Sequence, residues 1–460
     1  MNSESAPFLR IGIIGSGIGG ASAAYFAYNE IGEDIEIVVF EKASRLGGRL
    51  LCLDIADVPI EAGGNLIHSS NRYLNEFIED LNLERIPPNN LVHPSIKRTS
   101  GIWNGQSFDF RSSASEFMSL FKMMRRYGQG PVQIRPLIAS AIGRWTDIYD
   151  RQEEEEAFDT PEAMLEGLNL IELFETSSYD YFQQQGIDRR YLDEFATGLA
   201  RFDFGQDAHI HALGDAMSLI GTGIRGQNYV VKGGNELLCQ GLLGAAEAEV
   251  RLETGVVRIA RQPAGDGTAD QYSLTTSAGD TEVFDAVIIA TPLESAELTF
   301  EQIDLPEAAA VRRPYQTIFA TFVSGTLRSS YFGVSKKDMP NFVMTKEDET
   351  IPFLSISDVG QVNDSPAKIY KIFSRSKPAE SLLDDLFNDY DEDSLKQVSW
   401  QACPILKPGA DLPPFALAEG LYYINAIESL APTMEAITIA SRNAINLLDE
   451  ELLEPVDDEE

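Results

Sequence analysis

The residues with the plainest chemical purpose stand near the start of the chain. Gly15-Ser16-Gly17-Ile18-Gly19-Gly20 satisfies the spacing G-x-G-x-x-G, and Glu41 follows 21 positions after Gly20. This pattern cradles a pyrophosphate. Gly15 permits a tight turn, Gly17 lets backbone approach phosphate oxygens, and Gly20 lets a helix close on the preceding strand. The helix opening at Ile18 and Gly19 presents unpaired N–H groups and a partial positive charge to the phosphates. A carboxylate at position 41 accepts hydrogen bonds from ribose 2′- and 3′-hydroxyls and repels a 2′-phosphate. These residues, with Lys42 beside the acid, form a candidate dinucleotide site.

The elements needed to position them are legible around them. An apolar strand spans 10–15, a helix 21–30 and a second apolar strand 35–40. Near-continuous apolar runs suit strands buried on both faces of a parallel sheet. Helical patterns recur over 73–83, 117–124, 136–145, much of 158–220, and 233–243. Strand patterns recur over 250–258, 271–276 and 286–291, then 317–327 and 367–374, and a buried strand at 421–427 precedes a helix over 433–448. The expected fold class is α/β, a Rossmann-like nucleotide domain with an inserted α+β substrate domain. The nucleotide domain is expected from 1–100, 221–300 and 405–460, and the substrate domain from 101–220 and 301–404.

Composition narrows the function. The 460 residues carry 36 Lys and Arg against 72 Asp and Glu, a formal net charge of -36. Such a surface repels nucleic-acid phosphates and gains nothing at an anionic bilayer. The acidic stretches 153–156 and 449–460 read as a solvated loop and a frayed end. The three cysteines, Cys52, Cys239 and Cys403, lack metal-ligand spacing and read as buried thiols. No apolar run reaches the roughly 20 residues of a membrane span. No basic and apolar leader precedes the first strand, so the expectation is a cytoplasmic or peripheral protein.

Lys42-Ala43-Ser44-Arg45-Leu46-Gly47-Gly48-Arg49 resembles the second motif of amine-oxidase and phytoene-desaturase flavoproteins. The resemblance implies FAD. Gly48 would pass close to the diphosphate, with Arg49 supporting it by bidentate pairing. Glu61-Ala62-Gly63-Gly64 resembles a turn beside the flavin, Val256-Val257 the stretch whose backbone meets adenine, and Asp285 to Pro292, including Thr291, a strand ending under the cofactor. Thr433-Met434-Glu435 would bring a helix N-terminus to the flavin or diphosphate, where it stabilises negative charge.

The resemblance extends along the whole chain to the prenylcysteine oxidase (prenylcysteine lyase) family. The stretches that carry it include 61–68, 101–105, 125–128, Phe202-Asp203-Phe204-Gly205-Gln206, 216–219, 233–235, 290–293, Lys371-Ile372-Phe373-Ser374, and 422–428 with Glu428. It implies an FAD-dependent thioether oxidase that cleaves S-prenylcysteine with O2 to cysteine, a prenyl aldehyde and hydrogen peroxide. The hydride would leave a carbon both allylic and beside sulfur for flavin N5. Members of the family usually carry a secretory signal, and His209 and His211 stand outside its pattern. Alternative readings are a flavin amine oxidase or isoprenoid desaturase, and a non-catalytic flavin-binding interaction protein.

Other residues carry two readings each. His68 is a catalytic candidate at flavin or substrate, or a structural histidine. Asn65 and Asn425 can meet flavin edges, and Glu435 can meet the ribityl chain or approach the diphosphate through its backbone. His209 and His211 read as independent surface groups. Trp103 and the cluster Phe117, Met118, Leu120, Phe121, Met123 and Met124 can line an isoprenoid tunnel or dip into a membrane interface, with core packing the better reading of the cluster.

Overall fold

A computed structural model describes residues 9–32, 34–87, 99–222, 226–263, 270–362, 365 and 367–453. The amino-terminal stretch read for a leader and the end of the acidic tail, 454–460, lie outside these residues.

The apolar runs assemble into a six-stranded sheet ordered Glu249–Arg251, Ile35–Phe40, Leu9–Ile14, Ala286–Ile289, Leu421–Tyr423, Ala416–Ala418. The first five strands pair in parallel, Ile11 lying between Ile37 and Ala286. Ile11, Ile13, Val38, Val39 and Val287 to Ile289 are fully buried, as strands covered on both faces require. The helices Ile18–Glu30 and Met434–Leu453 pack closely: a Cβ at Gly19 would lie 2.6 Å from Ile437 Cγ2, and Ser22 and Ser441 hydroxyls are 3.0 Å apart. A Cβ at Gly20 would collide with Gly15 O, so that glycine is fixed by packing.

A second, seven-stranded sheet runs Phe387–Pro404, Tyr315–Leu327, Lys368–Ser374, Ser355–Gln361, Phe342–Thr345, Ser100–Trp103, Phe108–Arg111. Ser100–Trp103 pairs in parallel with Phe342–Thr345, joining distant parts of the chain. Helices from Glu116–Tyr127 to Ala212–Ile220 pack beside it.

The structure corrects several expectations. The strand expected over 250–258 is two: Glu249–Arg251 joins the parallel sheet and Val256–Gln262 a four-stranded sheet. The chain turns between them at Glu253, whose φ is +53°. The helix expected to open on Gly233-Gly234 starts at Glu236, because both glycines have positive φ, 94° and 118°. Phe387–Pro404 was not legible: it is an edge strand with acidic, solvated positions, so it lacks an apolar signature.

The packing expected of residues 117–124 is overturned. Phe117 is 77% and Phe121 54% exposed, and Met118, Leu120 and Met124 are also exposed. Their helix is an outer element of the helical layer and buries only Tyr127 fully, with Met123 partly packed. Trp103 instead belongs to a core, stacked on Phe353 at 5.5 Å.

Candidate active site

One cavity of about 660 Å³ runs from the ends of the parallel strands into the helical layer. Gly15, Gly17, Ile18, Gly19, Glu41, Lys42, Gly48, Arg49, Gly63, Gly64, Asn65, His68, Thr291, Glu428, Met434 and Glu435 all line it. Gly20 and Val257 do not. Gly20 serves helix closure, and Val257 sits at a bulge of its strand, 38% exposed.

The helix Ile18–Glu30 begins at Gly17 without a side-chain cap or first-turn charge, so its leading N–H groups are open to a ligand. A Cβ at Gly17 would meet only Gly47 O, at 3.8 Å. Protein packing therefore does not demand glycine there. Gly15 has φ +108° and a Cβ there would press on Ala290 O. Glu41 is buried and held in place: Ser16 N–H and O–H donate to Oε2 at 3.1 and 2.7 Å, and Ala43 N–H donates to Oε1 at 2.8 Å. No cation pairs with it among the described residues, which leaves its remaining lone pairs for hydroxyl donors.

Arg49 departs from the expected bidentate clamp on a diphosphate. Its Nη2 pairs with Glu428 and its Nη1 donates to Ala402 O at 2.8 Å. Glu428 also accepts from Tyr315 O–H and Asn425 Nδ2, both at 2.8 Å. Burial opposes its charge, but Arg49 and these donors outweigh it and hold its pKa below the usual range.

Glu435 departs too. Its carboxylate accepts from Tyr73 N–H at 2.9 Å, Leu74 N–H at 3.0 Å and Tyr149 O–H at 2.8 Å. It caps the helix Arg72–Asp80 rather than reaching for a ribityl chain. Burial raises its pKa to about 7.

His68 is buried on the cavity wall. Ser70 N–H donates to its Nδ1 at 3.1 Å, with Ser70 Oγ at 2.7 Å, so the neutral ring carries its proton on Nε2. Asn65 and Asn425 line the same space, and the Oδ1 of each is buried without a partner among the described residues. Buried polar atoms find partners, and a ligand with N–H and O–H donors supplies them. Cradle, acid and orphaned acceptors fit FAD.

His209 and His211 separate. His209 is exposed and stacks on Tyr179, as expected of a surface group. His211 is fully buried, which corrects the surface reading. Its Nδ1 accepts from Gly214 N–H at 3.0 Å and its Nε2–H donates to Ser429 O at 2.8 Å. Burial lowers its pKa to about 4. Cys239 and Cys403 are buried and Cys52 half-buried, all unbridged.

Two charged wall residues were not singled out from sequence. Lys371 is buried, its Nζ donating to Glu61 O at 3.0 Å and lying 4.5 Å from the Phe373 ring centroid. Burial lowers its pKa to about 8. Its signal was a lysine inside the strand Lys368–Ser374, otherwise buried and apolar at its centre. The second is Asp203, on the last turn of the helix Thr197–Phe204.

Comparison with known proteins agrees with this geometry. The family model "Prenylcysteine lyase" matches residues 110–458. The chain belongs to the prenylcysteine lyase family. A model of an NAD(P)-binding Rossmann-like domain matches residues 13–81. Prenylcysteine oxidase 1 of Bos taurus is 30% identical over 95% of this chain and 88% of its own length. Farnesylcysteine lyase of Arabidopsis thaliana is 29% identical over 95% and 87%. Among solved structures, cyclohexylamine oxidase from Brevibacterium oxydans superposes with a TM-score of 0.62 at 18% identity, covering 97% of this chain and all of that one. A putative protoporphyrinogen oxidase from Exiguobacterium gives 0.61 at 14% identity over 99% of this chain and 100% of its own. These two share the fold. Family and cradle together assign this chain as an FAD-dependent oxidoreductase.

Proposed function

We propose that this chain cleaves an S-prenylcysteine with O2, giving cysteine, a prenyl aldehyde and hydrogen peroxide. The observation that carries the reading is a single cavity in which the glycine cradle opens into a chamber walled by Ile142, Trp145, Met217, Ile220, Ile318 and Phe373. Such walls bury an isoprenoid tail and exclude water from the reacting carbon. The relatives' names, prenylcysteine oxidase and farnesylcysteine lyase, support this substrate.

FAD, when bound, would supply a two-electron acceptor that O2 regenerates, for oxidation of the carbon that is allylic and beside sulfur; addition of water at that carbon would then release cysteine and the aldehyde. The chain's residues serve that step. Gly15 to Gly19 and Gly48 take the diphosphate, with Arg49 setting its charge at that end. Glu41 takes the ribose, and Lys42 borders the adenine. Gly63, Gly64, Asn65, Thr291 and Met434 frame the flavin. Glu428 holds Arg49, and Glu435 holds the wall. His68, buried on the cavity wall, orients the water or the leaving thiol. Lys371, tied to Glu61 O just before the Gly63-Gly64 turn, sets a positive charge at the flavin end.

We place the cofactor unit at 1–100, 221–300 and 405–460, with the rest forming the substrate unit. No helix among the described residues is long and apolar enough to cross a membrane. The exposed apolar side chains of Glu116–Tyr127, flanked by Lys122 and Arg125, suit a lipid interface, where a prenylated substrate partitions.

The test is anaerobic: S-farnesyl-L-cysteine bleaches the flavin absorbance of the holoenzyme, and admitting air restores it with peroxide release. Bleaching by amines or carotenoid precursors instead would assign the cavity to the other chemistries of this fold.

A further inference from the structure

Four carboxylates line the cavity: Glu41, Asp203, Glu428 and Glu435. Three are occupied by the protein. Glu41 holds the Ser16 turn, Glu428 holds Arg49, and Glu435 caps a helix. Asp203 has one partner, the Ser218 hydroxyl, and no cation among the described residues.

Two features make an unpaired charge costly at this position. Asp203 is open to the cavity rather than to bulk water, and the protein around it raises its pKa to about 7. It also sits on the last helical turn, where the backbone carbonyls already present a partial negative charge. Both penalties become attractions once a cation enters. A carboxylate with no cation of its own, facing an enclosed chamber, is a receptor for an ammonium group.

Its place in the chamber is on the substrate side. Phe202 packs on Phe373 with centroids 5.9 Å apart, and Phe373 packs in turn on the Lys371 ammonium near the Gly63 turn. Met217 and Ile220, on the helix that supplies Ser218, give apolar wall beside the carboxylate. A ligand reaching Asp203 thus has apolar surface next to its cationic end, which is the pattern of an amino acid with a long hydrocarbon thioether.

We propose that Asp203 receives the α-ammonium of the substrate's cysteine. This rests on the thioether reading above.

The holoenzyme tests it with ligands lacking the allylic carbon, S-dodecyl-L-cysteine, N-acetyl-S-dodecyl-L-cysteine and 3-(dodecylthio)propanoate, each Kd read anaerobically from the flavin absorbance. The free amine is expected to bind about tenfold to a hundredfold tighter than the other two, the range for a charge-assisted hydrogen bond. Asp203→Asn is expected to erase that preference and leave the propanoate Kd within about twofold, a charge removed without loss of volume. Should Asp203→Asn not retain FAD, Asp203→Ser carries the same comparison. Equal affinity of the unaltered protein for all three ligands overturns the proposal, as does an equal loss for all three in the variant. Bleaching by S-farnesyl-L-cysteine reports separately: its absence overturns the thioether reading, and bleaching without an ammonium preference overturns the anchor alone.

Discussion

Arg49 and Glu428, 379 positions apart, form an ion pair on the cavity wall in which the carboxylate is 1% exposed. The pair joins the loop after the second parallel strand to the segment before the last helix, two stretches that both border the cofactor space. Arg49→Met leaves Glu428 buried without its cation, at a cost of about 3 kcal/mol. The sign with pH follows from the lowered pKa of Glu428. The pair contributes stability above the carboxylate's unfolded pKa, and that contribution is lost as pH falls through the folded value. Thermal denaturation of the apoprotein at neutral and acidic pH should show the difference between unaltered and variant protein shrinking as acid is added.

Gly17 and Gly20 should fail in different ways. Gly17→Val places a side chain where the protein itself offers only Gly47 O at 3.8 Å. The variant should fold, with a circular dichroism melt close to the parent, and purify without flavin. Gly20→Val should not fold, because Gly15 O already occupies the space. A yellow Gly17→Val protein with full FAD content would remove Gly17 from the diphosphate site.

Asp215 is buried with Ser178 donating to one oxygen and the other without a partner among the described residues, and burial raises its pKa to about 7. The folded protein therefore keeps the proton to higher pH than the unfolded chain, whose value is 3.8. Stability from this group is present below 3.8 and declines as pH rises toward about 7. Asp215→Asn should flatten the melting temperature between pH 5 and pH 8 relative to the parent. Parallel pH profiles for the two proteins would refute the assignment.

His68→Ala should leave flavin content and melting temperature near the parent values and lower turnover by about a hundredfold, the low end for a side chain that assists proton transfer. Stopped-flow bleaching and peroxide release, both unchanged, would return His68 to a structural role beside Ser70.

The helix Glu116–Tyr127 should bind lipid through Phe117 and Phe121. Co-sedimentation with zwitterionic vesicles is expected for the parent and should fall several-fold in Phe117→Asp/Phe121→Asp with soluble-substrate turnover retained. Equal sedimentation of both proteins would leave the exposed face without a lipid role.

Much of this was legible from local pattern. The glycine spacing, the apolar strands and the acid at 41 lie within about thirty residues, and their physics is local: a turn, a helix start and a buried run. The same holds for the helices Arg72–Asp80 and Met434–Leu453, displaced from the expected spans by a few residues. Phe387–Pro404 was hidden because an edge strand needs no apolar face, and His211 looked like a surface group because its acceptor, Ser429 O, lies 218 positions away.

By itself, then, the sequence determined a Rossmann-like cofactor unit, its dinucleotide cradle and, through motif order, the flavoprotein family, since each depends on neighbours in the chain. The tertiary structure decided what the charged groups do. It turned Glu435 to a helix cap and Arg49 to Glu428, and it left the apolar helix Glu116–Tyr127 outside. It also placed Lys371 and Asp203 on one cavity wall. The reason is physical: a side chain's charge and exposure depend on which distant segment packs against it, and no local spacing encodes that.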